Sequence, residues 1–139
     1  MGERTEAETS GAQQVVKALI DTSIFVDISR DYPQALSWYA NQSDLGISRA
    51  LWMEVIEGVE NRRKQQDAIN LLERFELIEL STNDLVWASQ QLLAFRLSHN
   101  IDPFDCMIAS VNHRLQVPLY TRNMKHFRPL LGSLAQVPY

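Results

Sequence analysis

The sequence predicts an α/β fold: a three-layer α/β/α arrangement around a central parallel sheet of four to five strands. Short apolar runs alternate along the chain with longer stretches of helical periodicity, which implies parallel strands joined by crossover helices. No Pro/Ser-rich linker or internal repeat interrupts that alternation. The 139 residues are 45% hydrophobic and 22% charged, the composition of a single globular domain. A chain of about 150 residues buries roughly 68–70% of its unfolded surface and needs no disulfide or structural metal to hold a core.

Residues 1–14 are polar, carry Glu3, Glu6 and Glu8 and lack apolar periodicity, so a flexible extension is expected there, with one domain over 15–139. VVKALID is a short apolar run closed by Asp-Thr-Ser, which predicts a buried strand at about 15–20 and then a helix start. DYPQALSWYANQ reads as a helix with Pro33 in its first turn, and LGIS (45–48) as a second strand. Ser48 can cap the amphipathic stretch SRALWMEVIEGVENRR. Helical spacing puts Leu51, Trp52, Val55, Ile56 and Val59 on one side of it and Ala50, Glu54, Glu57, Gly58 and Asn61 on another. QQDAINLLERF continues as helix, FELIEL (75–80) alternates like a strand, and a polar break at 81–84 precedes the helix DLVWASQQLLAFRLSHN. DPFDCMIASVNHRL opens with a helix-start signal and leads into VPLYTRN, another strand; LAQVP suits a final edge strand.

The net charge of −4 argues against holding nucleic acid by bulk charge, since that binding comes mainly from Lys and Arg on phosphates. A nucleic-acid role would need local basic groups or bridging cations. The single cysteine, Cys106, has no internal bridging partner, no signal-peptide pattern opens the chain, and no apolar run reaches the ~18 residues of a membrane helix. A cytoplasmic location without membrane attachment is the expectation. The histidines His99, His113 and His126 lack H-E-x-x-H spacing, and neither a G-x-S-x-G elbow nor a Gly-rich phosphate loop is present, which argues against zinc hydrolase, serine hydrolase and P-loop chemistry.

In doubly wound sheets ligands sit outside the carboxyl ends of the strands, where strand order reverses. Asp21 follows the first strand, Glu54 lies two turns into the helix after the second, and Asp105 lies in the first turn of the helix before the fourth. Clustered carboxylates repel and raise one another's pKa unless a cation compensates, and hard oxygen donors suit Mg²⁺ or Mn²⁺. Each acid also has an ordinary reading. Asp21 can cap a helix, Glu54 can sit on a solvated stripe with Glu57 as its rival, and Asp102-Pro103-Phe104-Asp105 has the form of an N-cap, N1 and N3.

Four segments in series, LIDTSIFVD, GISRALWMEVIEGV, DPFDCMIASVNH and PLYTRNMKHF, resemble the PIN-domain ribonucleases, especially the VapC-type toxins of bacterial toxin–antitoxin pairs. The likeness runs from about Val16 to Phe127. It implies an α/β/α parallel-sheet domain, Mg²⁺ or Mn²⁺ dependence, endonucleolytic cleavage of RNA and control by a cognate antitoxin. It assigns metal-binding, catalytic roles to Asp21, Glu54 and Asp105. The family's usual fourth acid falls at Asn123 or His126, and neither is a carboxylate here, leaving Asp102 or Asn123 as further candidate ligands. Thr22, Ser23 and Thr121 match hydroxyl positions that orient carboxylates or phosphate. Arg122, Lys125, His126 and Arg128 are candidate phosphate contacts, with a plain solvated basic face as the alternative.

Two rivals accompany this expectation: a catalytically weak or inactive PIN domain that binds RNA or protein, and a receiver-like phospho-acceptor domain. The second expects an acceptor Asp at the end of the third strand, where this chain has Ser81 and Thr82. A homodimer is expected both from the resemblance and from Trp38, Trp52 and Trp87, which a small core does not obviously need.

Overall fold

A computed structural model of the chain describes residues Val16 to Tyr139. The extension expected at 1–14 lies outside them. Five strands, β1 (Ala18–Ile20), β2 (Leu45–Ser48), β3 (Glu76–Ile78), β4 (Leu119–Tyr120) and β5 (Ala135–Gln136), form one parallel sheet in the order β3-β2-β1-β4-β5. Among the described residues seven α-helices flank it: α1 (Thr22–Ser29), α2 (Pro33–Ala40), α3 (Arg49–Glu57), α4 (Arg62–Leu72), α5 (Thr82–His99), α6 (Pro103–Leu115) and α7 (Met124–Leu131). Chain order steps outward from β1 to β3 on one side and from β4 to β5 on the other. The reversal therefore lies between β1 and β4, where Leu19 pairs with Leu119 and Ile20 with Tyr120. Asp21 and Thr121 are the next residues on these two strands, so both emerge at the switch point.

Local chemistry accounts for the departures from expectation. The helix read across 48–63 is two helices: α3 stops at Glu57 with Gly58 as C-cap, and Asn61 starts α4 by accepting the Lys64 N–H at 2.9 Å. α5 begins at Thr82, inside the expected polar break, because Ser81 and Asp84 form a reciprocal capping box. The first and third strands are shorter than their apolar runs. α7 was not expected, since Pro129 lies within it; the helix ends three residues later at Gly132, whose φ of +58° favours glycine.

The core draws on both helical layers, with Leu19, Ile20, Ile24, Phe25, Ile47, Leu51, Ile108, Val111, Leu119 and Phe127 all buried. Gly46 is required by close approach: a Cβ there would meet Val16 at 3.0 Å and the Glu76 carbonyl at 3.2 Å. Asn112 is fully buried, and its amide donates to the Val117 and Pro118 carbonyls at 3.1 and 3.0 Å, which fixes the entry to β4. α7 is anchored by Phe127, Leu130 and Leu131. Phe127→Ala is expected to cost about 3–5 kcal/mol in urea denaturation, the range for truncating a buried aromatic.

The tryptophans are largely used within the chain, which corrects the argument from surplus tryptophan. Trp38 meets Tyr120 edge-on at 5.1 Å, Trp87 stacks on His113 at 4.6 Å, and Arg49 lies over Trp52. The most exposed large apolar side chains are Leu93 and Leu97 of α5, at 85% and 99%. No helix among the described residues is long and apolar enough to cross a membrane.

Candidate active site

Asp21 is both a cap and a member of the acidic cluster. Its Oδ1 accepts the Ser23 hydroxyl at 2.6 Å and the Ile24 N–H at 3.2 Å, closing the first turn of α1, while Oδ2 accepts the Thr121 hydroxyl at 2.6 Å. The Asp21 N–H donates to the Tyr120 carbonyl, which pins the residue across the switch point. Among the described residues no Lys or Arg is bonded to this carboxylate. Burial pushes its pKa up, against the pull of the hydroxyl and backbone donors.

Glu54 projects from α3, whose start Ser48 caps through the Leu51 N–H. The Thr22 hydroxyl donates to Glu54 Oε1 and joins α1 to α3. Glu54 is half-buried, and its carboxyl is raised first by burial and then by the negative charges of Asp102, Asp105 and Asp21. Acids from two other segments are therefore felt at one side chain. Glu57 is exposed and is not among these neighbours, so Glu54 is the residue that faces the cluster.

Asp102 and Asp105 form the capping box of α6: the Asp105 N–H donates to Asp102 Oδ1 at 2.9 Å, and the Asp102 N–H approaches Asp105 Oδ2 at 3.5 Å. Burial and the Asp102 charge raise the Asp105 carboxyl, while His126 pulls it down. His126 Nδ1 lies 2.8 Å from Asp105 Oδ2 and 3.1 Å from Asn123 Nδ2. One ring nitrogen cannot both donate to the carboxylate and accept from the amide. If His126 donates to an ionised Asp105, the Asn123 amide turns its oxygen toward the ring. The Asn123 N–H also donates to Thr121 Oγ1 at 2.8 Å, so the segment after β4 is tied to Asp21 as well as to Asp105.

Asp21, Asp102 and Asp105 thus lie near enough to Glu54 for their charges to be felt there, with Ser23 and Thr121 bonded to Asp21 and Thr22 to Glu54. Their charge and hard oxygen donors fit a divalent cation such as Mg²⁺ or Mn²⁺. The set is not a ready-made cage: among the described residues no three His, Cys, Asp or Glu side chains are grouped closely enough to hold an ion as placed. Cys106, next to Asp105, is a buried thiol pushed up to about 11 by burial and the adjacent acids, which disfavours its thiolate at neutral pH.

The basic candidates divide. Arg122 is bound by Asp27 at 2.7 Å, while its backbone N–H donates to the Ser23 hydroxyl at 3.1 Å. Lys125 and Arg128 are exposed on α7. Asp27 was missed in the sequence because it lies outside the strand-end pattern, and Tyr139 because nothing near it marks a site. An open groove of about 680 Å³ begins at Thr22 and Glu54 and runs between α1, α2, α3 and α4, with Phe25, Leu36, Tyr39 and Leu71 as apolar lining.

Among solved structures, a toxin–antitoxin complex from Klebsiella pneumoniae shares 26% identity with a TM-score of 0.67, covering 88% of this chain and 98% of the other. A DNA-bound VapBC from Salmonella typhimurium shares 21% at TM-score 0.70, covering 89% and 99%. VapBC2 from Rickettsia felis, bound to a promoter DNA fragment, shares 21% at TM-score 0.66, covering 86% and 97%. No curated protein matches the chain. The family model for the PIN domain matches residues 18–128, a span holding β1 to β4 and every acid of the crevice. With its parallel sheet and its carboxylates at the switch point, the chain belongs to the PIN domain family.

Proposed function

We propose that the protein is a Mg²⁺- or Mn²⁺-dependent endoribonuclease, the toxin of a toxin–antitoxin pair, acting in the cytoplasm. PIN domains are generally nucleases that use divalent metals. The observation that supports the reading here is Glu54, whose carboxyl is raised by burial and then by three other acids drawn from two further segments, with no bonded Lys or Arg among the described residues to offset them. Asp21, Glu54 and Asp105 would hold the ion, with Asp102 or Asn123 beside them. Bound there, the ion supplies Lewis-acid chemistry: it lowers the pKa of the attacking water and offsets charge on the leaving oxygen. The chain supplies orientation. Thr121 and Ser23 fix both oxygens of Asp21, Thr22 fixes one oxygen of Glu54, and Asp102 holds Asp105 in the first turn of α6.

The Klebsiella relative is a toxin–antitoxin complex, and the groove that starts at Glu54 suits an amphipathic antitoxin segment with an Arg directed at the acids. A homodimer is part of the same reading, with Leu93 and Leu97 as its exposed apolar contribution.

A second reading, a catalytically weak or inactive domain that binds RNA or protein, is favoured by one feature: His126, not a fourth acid, occupies Asp105 Oδ2. A structured RNA incubated with the protein in Mn²⁺, Mg²⁺ or EDTA separates the two. Cleavage products that appear with either metal and vanish in EDTA are expected. RNA bound but uncut in both metals would favour the second reading.

A further inference from the structure

Arg122 is held more firmly than an exposed arginine needs to be. Its Nη1 donates to Asp27 Oδ2 at 2.7 Å, and the Tyr139 hydroxyl donates to that same oxygen at 2.7 Å. Its guanidinium carbon lies 5.6 Å from the ring centre of Tyr32. The Tyr139 ring in turn packs on Tyr32 at 6.1 Å and on Trp38 at 5.8 Å, and Trp38 on Tyr120. The Arg122 backbone N–H donates to Ser23 Oγ, whose hydroxyl donates to Asp21. The clamp is therefore two hydrogen bonds from the carboxylate centre, and still 48% of the Arg122 side chain is exposed.

A fixed guanidinium keeps most of its five N–H donors, and its planar face can take a base as an aromatic ring does. An acidic crevice in a chain of net charge −4 needs such a group to receive a polyanion. On the ribonuclease reading, we propose that Arg122 contacts a nucleotide of single-stranded RNA at the rim of the site, and that Asp27 and Tyr139 are positioning residues that hold its guanidinium for that contact.

The test is binding of a fluorescein-labelled single-stranded RNA, followed by anisotropy in EDTA, alongside kcat and KM for cleavage in Mn²⁺. Arg122→Ala is expected to weaken binding and raise KM about tenfold with kcat nearly unchanged, the scale of one lost base-stacking contact. Arg122→Lys keeps the charge but not the plane, and recovers only part of the loss. Tyr139→Phe removes a single hydroxyl and is expected to weaken binding about threefold, with no further effect when combined with Arg122→Ala. Wild-type affinity in Arg122→Ala, or a Tyr139→Phe penalty that persists undiminished in the double variant, overturns the inference. If the wild type still cuts RNA in that case, the ribonuclease reading stands without it. A wild type that neither binds nor cuts RNA removes both.

Discussion

Asp21→Asn is expected to lower Mn²⁺-dependent RNA cleavage on the order of 10²–10³-fold while leaving the fold in place. The substitution is informative because Asp21 has two jobs that asparagine separates. Asn is as good an N-cap as Asp, and its side-chain oxygen can keep the Ser23 and Ile24 bonds that close the first turn of α1. The amide nitrogen would face Thr121 Oγ1, whose hydroxyl can rotate to accept. What is lost is the negative charge and one hard oxygen at the point where β1 and β4 part. Asp21→Ala would remove the cap too, and its lower activity would not distinguish lost chemistry from a frayed helix. Single-turnover cleavage together with circular dichroism reads the two effects apart. An asparagine variant that cuts RNA as fast as the wild type would remove Asp21 from the mechanism.

The layer order was legible, and so were the acids of the candidate site, because both follow from local rules. A strand followed by Asp-Thr-Ser, and an Asp-Pro-Phe-Asp helix start, fix backbone geometry within a few residues, and the parallel sheet carries the first of them to the switch point. The competing ordinary readings were sound as well: Asp21, Asp102 and Asp105 do cap their helices. Capping and clustering are compatible: Asp21 caps α1 through one carboxylate oxygen and leaves the other to Thr121, while Asp102 and Asp105 cap α6 and still act on Glu54. Periodicity could not show the break at Gly58, because the apolar positions continue through it and only the caps at Gly58 and Asn61 mark the ends. α7 was hidden by Pro129. The clamp on Arg122 joins residues 27, 122 and 139, a pairing that only tertiary structure can make.

In the absence of metal, Glu54→Gln is expected to melt at a higher temperature than the wild type near neutral pH, with the difference fading as the solution is acidified. Burial and three acids raise the Glu54 carboxyl above its ordinary range, so the folded state holds a proton there more tightly than the unfolded chain does. Stability from such a group is fully present below the unfolded pKa and is lost as pH rises through the folded value. Asp21 and Asp105 are shifted in the same direction and add to the trend. Asp27 is shifted the opposite way: burial pulls it upward, but bonds from Tyr139 and Arg122 outweigh that, so its contribution is lost as pH falls. The whole-protein pH profile therefore mixes signs, and the difference between wild type and variant isolates the crevice. Mn²⁺ should reverse the ranking. An ion that binds only the folded state adds about 2.7 kcal/mol at a hundredfold excess over its Kd, and the variant, lacking one carboxylate, gains less at the same concentration. Scanning calorimetry in EDTA and in Mn²⁺, at mildly acidic and neutral pH, measures all four combinations. A Glu54→Gln variant less stable than the wild type in EDTA at neutral pH would mean that the Thr22 bond outweighs the repulsion, and that the acids do not constitute a site awaiting a cation.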